Sequence, residues 1–532
     1  MASFIASLLQ ALDLIGLSLS VGGLGFILAV LHPVSTSGKG SPTRRATRLI
    51  ILGALAVAGA EIGIVLTKAH GLAFEFGNWP WEALLASRFA QARVARAGLA
   101  LLLAASASVT CRESAPPASW CVALLSSALL LVCGGWLAHA VSRLEREATL
   151  IAITVLHQVG AVLWVGGILH LLALRQVPSP SRTDAEVWPR ALMRFSRFAK
   201  VSVVLLIVAG IALGVKYIGD WQNLVGTDYG IMVLTKATLL AVALGLASVN
   251  RRIIRRWSLG GKMQGVQEIL PPLVEAEATL VLLALLSAVS LTTLPPAIDV
   301  AGQRATPAEV VGVLSPRWPQ LTLPTPSGTL VSSTPAQDSF APYTAEDRLE
   351  SNFNHNISGL LVLLIAGVAI LDRTGRVGWA RHWPLLFVGL AVFLFLHAES
   401  LIWPFGNVGL WEQLADPAAI QHRLATLVVS LFALLEWRVQ AGGLGGTRWR
   451  FAFPILAVLG SAILLSHPHT GLPTRYAFLI EVSHDILGLL AAFIGAGRWL
   501  ELRLPPPGGH LGGILWRICL LGVGFVLLFY HE

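Results

Sequence analysis

Apolar runs long enough to cross a bilayer follow one another along most of this chain, and that recurrence limits the fold more than any motif. A helix spanning the hydrocarbon core needs about 20 residues. In lipid, only helices and closed barrels satisfy their own backbone polar groups. Of the 532 residues, 55% are hydrophobic and 13% charged, against roughly a quarter charged in soluble domains. The expected fold class is therefore all-α: a polytopic membrane helical bundle of about 14 transmembrane helices. Their centres fall near residues 17, 57, 101, 129, 161, 209, 240, 284, 362, 393, 430, 458, 487 and 521.

Charge orients this array. The clusters Lys39/Arg44/Arg45/Arg48, Arg190/Arg194/Arg197/Lys200, Arg251/Arg252/Arg255/Arg256, Arg373/Arg376/Arg381 and Arg448/Arg450 occupy alternate loops. All lie on one side of a fourteen-span arrangement, which the positive-inside bias makes cytoplasmic, with both termini periplasmic. The net charge of +9, from 38 Lys+Arg against 29 Asp+Glu, follows from such loops and points to a lipid bilayer as partner, not to nucleic acid. The opening MASFIASLLQALDLIG lacks a basic n-region and a clear cleavage site, so it reads as a first membrane helix and not a signal peptide. Cys111, Cys121, Cys133 and Cys519 form no CxxC, which argues against a disulfide framework and a thiolate metal site. Only four methionines are present, too few for a Met-rich copper(I) path.

One stretch interrupts the spans. Residues 298–352, with LSPRWPQLTLPTPSGTLVSSTPAQ at their centre, read as an extended external linker rich in Pro, Ser and Thr. It separates an eight-helix module (1–297) from a six-helix, His-rich module (353–532). The first module carries an internal duplication. Leu12, Gly16, Leu19, Val21, Gly22 and Gly23 match Leu156, Gly160, Leu163, Val165, Gly166 and Gly167. VAGxxxG recurs at 57–63 and 208–214, and SRFAQARVARAGL (87–99) aligns with TDYGIMVLTKATL (227–239), setting Arg96 opposite Lys236. These matches, in order, predict a four-helix unit repeated in parallel. Gly59/Gly63 and Gly210/Gly214 are spaced for close helix approach. Asp13 aligns with His157, two ionisable groups that are costly facing lipid and so are expected to line a site or a buried hydrogen bond. Arg96 and Lys236 are expected to snorkel or to pair with Asp13 or Glu61, forming a polar centre.

Three stretches of the first module resemble the CopD copper-resistance family of membrane proteins: LHQVGAVLWVGG (156–167), TDYGIMVLTKATLLAVALGLASVNRR (227–252) and LPPLVEAEATLVLLALLSAVSLTTLPPA (270–297). The last keeps a family-like membrane glutamate, Glu275 or Glu277, before a proline-containing exit. The resemblance spans residues 1–297 and implies copper handling at the periplasmic membrane, commonly described as uptake, with a periplasmic copper chaperone as a partner. The six-helix module matches no family by motif.

Histidine placement supplies an independent signal. Of the fourteen, His70, His139, His157, His355, His397, His422, His467, His469, His484 and His531 fall on the outer side, opposite to the basic clusters. His32, His170, His382 and His510 fall on the inner side. The second module concentrates them: His397 ends one helix, His422 opens the next, His467 and His469 flank Pro468 at a helix end, and His484 lies two turns into another. Glu399, Glu412, Glu481 and Asp485 are close in sequence. Neighbouring helices would bring these imidazoles to one membrane level. Imidazole suits Cu(I), Cu(II) and Zn, with carboxylates orienting it from behind. Isolated histidines such as His70, His355 and His531 read as amphipathic interface residues.

The leading expectation is a copper-binding protein of the inner membrane for copper transport or resistance. Outer histidines (His139, His157, His397, His422, His467, His469 and His484) would capture copper, and Asp13, Glu61, Lys236 and Glu275 would line its path. No ATP-binding loop or soluble catalytic domain is visible, so no enzyme is expected and transport would be passive or ion-coupled. The alternatives are a b-type haem electron-transfer protein, with facing histidines such as His397 and His484 as axial ligands, and a copper-delivery factor for a cuproenzyme.

Overall fold

The computed structural model describes residues 2–34, 41–110, 116–137, 147–175, 187–258, 263–323, 345–397, 409, 417–466 and 474–532. Its elements in chain order are α1 (Phe4–Leu31), α2 (Ser41–Phe76), α3 (Trp81–Ala86), α4 (Arg88–Thr110), α5 (Pro117–Leu137), α6 (Glu147–Arg175), α7 (Val187–Tyr217), α8 (Trp221–Gly226), α9 (Asp228–Ser258) and α10 (Met263–Thr293). There follow α11 (Pro307–Leu314), α12 (Ala345–Arg373), α13 (Leu386–His397), α14 (Pro417–Gln440), α15 (Ala452–Leu464), α16 (Thr474–Arg503) and α17 (Gly508–Leu528). The protein is an all-α polytopic bundle, with 13 helices among the described residues long and apolar enough to cross a membrane. The span expected around residue 458 is α15, of 13 residues. A 3-10 turn at Arg448–Phe451 precedes it and Leu465 caps its C-terminal end, so the α-helix itself is shorter than a span.

The helices form two compact units. One comprises residues 2–219 and 244–296, the other 220–243 and 297–532. In the first, helix packing follows the internal duplication. Gly22 and Gly166, equivalent in the two repeats, face each other across α1 and α6. A Cβ on Gly22 would lie 2.0 Å from the Val162 carbonyl oxygen, and one on Gly166 would lie 2.0 Å from that of Ser18. Ser18 and Val162 are themselves equivalent, so the contact is reciprocal, as a pseudo-two-fold requires. Close approach is therefore made here and at Gly16–Gly53, not at Gly59, whose Cβ would meet nothing within 4 Å. Within the 57–63 motif Gly59 is exposed, whereas Gly63 packs against α1, where a Cβ would lie 2.9 Å from the Leu9 side chain. α1 is itself π-helical over Ser18–Gly22 and Ile27–Leu31. Such segments are rare inside helices and frequent at functional sites.

The second unit centres on aromatic rings. Trp383, Phe387, Phe432, Phe453 and Trp516 are all buried in one cluster, with ring centroids 4.7–6.2 Å apart in tilted and edge-on arrangements. Aromatic pairs of this geometry add about 0.5–1.5 kcal/mol each beyond area burial. The Pro/Ser/Thr-rich segment is not wholly extended. Thr306 caps α11 through a full capping box with Glu309, with Pro307 as its first residue. That sequence is a helix start on physical grounds, outweighing the composition around it. The Ala305 amide bonds the Gly226 carbonyl at 2.9 Å, which ties the segment down beside α8. Residues 324–344 lie outside the described part of the linker.

Candidate functional site

Buried charge, rare inside a membrane protein, marks the candidate sites. The strongest concentration lies in the first unit, where α1 and α2 each present one acid and α4 two arginines to a common point. Arg96 Nη2 donates to both Asp13 oxygens, at 2.8 and 3.0 Å. Its Nε donates to Glu61 Oε1, and its Nη1 to the Leu130 carbonyl at 2.9 Å. Arg93 Nη1 reaches Glu61 Oε2 at 3.0 Å. Glu61 is 0% exposed and Arg96 3%. Gly134 on α5 provides the room, since a Cβ there would lie 2.6 Å from Arg96 Nη1. Two carboxylates and two guanidiniums balance in charge, so the cluster is locked by its own pairing. Of the alternatives expected for Arg96, snorkelling or pairing with Asp13 or Glu61, the structure shows pairing, and with both acids. Lys236 is not among the partners of Arg96; it lies half-buried on α9, in the part of the chain that belongs to the other unit. The repeat equivalent of Asp13, His157, instead meets the backbone: its Nδ1 lies 3.1 Å from the Leu206 carbonyl oxygen.

Of the two candidate glutamates on α10, Glu275 is half-buried and pairs with Arg175 at 3.4 Å. Glu277 is the deeply buried one, 5% exposed. Asn250 Nδ2 donates to its Oε2 at 2.7 Å, and the Trp164 indole also donates to it. The two positions differ by two residues, about 200° of helix rotation, which sequence spacing alone does not resolve into inward and outward faces.

In the second unit, His484 is buried and its ring stands edge-on to that of His355, with centroids 5.6 Å apart. Tyr530 stacks on His355 at 3.9 Å. The sequence reading treats His355 as a lone interfacial residue; the structure sets it beside His484. Register puts His355 and His484 at one predicted membrane level on α12 and α16, but level alone does not make them neighbours. His484 Nδ1 donates to the Ile480 carbonyl at 3.0 Å and His355 Nδ1 to that of Ser351 at 2.8 Å. Nε2 is then the lone-pair nitrogen of each ring. Beside His484, Asp485 accepts from Thr235 Oγ1 at 3.3 Å, with Glu481 and Asp228 close enough to act on it electrostatically.

Each of the other predicted ligands that the structure describes has its own surroundings. His397 stacks on Phe393 at 5.0 Å and meets Phe353 edge-on. His422 is half-buried on α14, its carbonyl accepting from Thr426 Oγ1. His139, His467 and His469 lie outside the described residues, as do Glu399 and Glu412. Among the described residues, no three His, Cys, Asp or Glu side chains converge as a metal-holding group. Sequence reasoning also passes over the ion-pair network of the second unit. There Arg498 bridges Glu436 (2.8 Å) and Glu501 (2.5 Å), and Arg517 joins Glu501 at 2.9 Å. The guanidiniums lie over Phe453 and Trp516, which makes the network part of the aromatic core.

Fold and sites together define a multi-pass helical membrane protein with ionisable side chains buried in both units. Residues 189–291 match the family model CopD, copper resistance protein D, a narrower range than the resemblance of residues 1–297. It takes in the two quoted stretches on α9 and α10 apart from the last residues of the second, while 156–167 lies ahead of it. The chain is 28% identical over 291 residues to copper transport protein CutJ of Bacillus subtilis (strain 168), covering 52% of this chain and 50% of that protein. It is 25% identical over 159 residues to copper resistance protein D of Pseudomonas syringae pv. tomato, covering 29% of this chain and 51% of that one. The chain therefore spans about half the length of the curated relatives it matches. No solved structure gives a significant match.

Proposed function

We propose that this protein handles copper at the inner membrane, as a transporter or resistance protein and not an enzyme. Copper is its cargo, taken up from the periplasmic side by histidines of the C-terminal module. The match of residues 189–291 to CopD supports the copper reading. The observation that carries the capture site is the His355–His484 pair. A metal sits about 2 Å from each imidazole nitrogen, so a ring separation of 5.6 Å between centroids is of the size that two imidazoles on one ion require. Imidazole serves either copper oxidation state, and the backbone bonds at Nδ1 fix the tautomer that ligation needs. His467 and His469, or a periplasmic copper chaperone, would complete or supply the site, with both chain termini on that side. Asp13, Glu61 and Glu275 belong to the inward path, Asp13 and Glu61 through the balanced cluster on Arg96.

Metal analysis of purified protein with an absorption spectrum tests this. Copper bound per protein should fall in the His355→Ala/His484→Ala variant and further with His467→Ala/His469→Ala, with expression and elution unchanged. Unchanged copper in the first variant would remove the His355–His484 site, and a Soret band in copper-free protein would replace the copper reading with haem.

A further inference from the structure

Glu277 differs from every other deeply buried acid of the first unit in what holds it. Both of its donors, Asn250 Nδ2 and the Trp164 indole, are neutral, and no ion pair joins it among the described residues. Trp164 is 1% exposed and Asn250 4%. The Asn250 Oδ1 atom is buried without a hydrogen-bond partner. An uncompensated carboxylate in such surroundings carries a large desolvation penalty, which a bound proton removes.

Glu277, Trp164 and Asn250 form part of the wall of a cavity of about 160 Å3. One water needs roughly 10–15 Å3 of such space, so several fit. The charged groups facing Glu277 across it come from α7 and α9: Lys200 and Arg251, both exposed. Ser196 and Ser248 add hydroxyls on the same two helices. α6 contributes Trp164 and no titratable group to this lining. The cavity thus has a buried acidic wall and solvent-exposed basic side chains. Two cations in the lining disfavour a metal ion beside Glu277, while a proton carried by water is still admitted.

We propose that Glu277 is a proton-exchange site, loaded and unloaded through this cavity, that couples proton movement to passage of the cargo. Hydronium in the cavity gives its proton to a Glu277 oxygen, leaving water and a neutral carboxyl. The reverse step returns the carboxylate and hydronium. Asn250 is suited to both states, with Nδ2 donating to the carboxylate and Oδ1 open to the hydroxyl of the acid. The coupling to cargo rests on the copper reading; the exchange itself does not.

Infrared difference spectroscopy of the purified full chain reads the exchange directly. Wild type should show a deuterium-sensitive carboxylic C=O band that fades as pH rises, is absent in Glu277→Gln and returns, shifted, in Glu277→Asp. A titrating band that persists in Glu277→Gln, or no titrating band in wild type, overturns the proposal. In vesicles carrying an internal pH dye, copper addition should change internal pH in wild type and not in Glu277→Gln. An undiminished pH response in that variant overturns the coupling. Wild type that binds no copper sinks the copper reading instead, and the infrared band still decides the exchange.

Discussion

Glu61 and Glu277 are both glutamates buried within the first unit, and their surroundings are opposite. Glu61 is held by two arginines, one of them shared with Asp13. Glu277 is held by an amide and an indole beside a cavity. A buried ion pair contributes little net stability compared with apolar residues, but removing one partner strands the other at high cost. The Glu61 cluster is therefore held together by opposite charges, while Glu277 is held by neutral donors alone. Burial alone does not mark a working acid; the sign of what it touches does.

The sharpest way to break this comparison is Arg96→Met, which leaves Asp13 without its ion-pair partner and Glu61 with Arg93 alone. We expect a loss of about 3–5 kcal/mol, seen as a large drop in thermal unfolding temperature in detergent. Adding Asp13→Asn to it should restore most of that, since Glu61 and Arg93 then remain as one balanced pair with no stranded charge. Glu61→Gln alone comes next, because half-buried Arg93 then loses its acid partner while Arg96 keeps Asp13. Trp164→Phe removes one donor from Glu277 and should cost about 1–3 kcal/mol. Glu277→Gln keeps the shape and one acceptor oxygen and strands no charge, so its unfolding temperature should stay near wild type. Equal losses in Glu61→Gln and Glu277→Gln would erase the distinction.

Much of this was legible in the sequence and some was not. Hydropathy alone located the helices because lipid demands apolar runs of fixed length. The duplication foretold that α1 and α6 are equivalent, and reciprocal contact at Gly22 and Gly166 realises it. The pairing of Arg96 with Asp13 and Glu61 followed from the cost of lone charge in a membrane. What spacing could not resolve was rotation: Glu275 or Glu277 facing inward depends on how α10 is turned, which packing sets. The His355–His484 contact was hidden because α12 and α16 are far apart in sequence, and register gives level but not neighbours. The aromatic-lined Glu436–Arg498–Glu501 network was missed because its charges sit near helix ends, where hydropathy expects them exposed.

The smallest effect lies where water, not protein, surrounds the charge. Glu309 at the start of α11 accepts from the Thr306 amide at 2.8 Å, from the Arg475 guanidinium and from the Thr306 hydroxyl. The amide bond acts most strongly, and together they pull its carboxyl down from 4.5 to about 2. Because the folded value is depressed, the stabilisation is present above pH 4.5 and is lost as pH falls towards 2. Solvent screening keeps the effect local and small. Hydrogen exchange of the amides of Pro307–Leu314 should therefore speed up, beyond the intrinsic pH trend, on acidification across that window. Glu309→Gln should abolish this acid dependence and leave global unfolding unchanged. If Glu309→Gln instead lowered global stability as much as Glu61→Gln does, burial would not be what separates a costly ion pair from a cheap one in this protein.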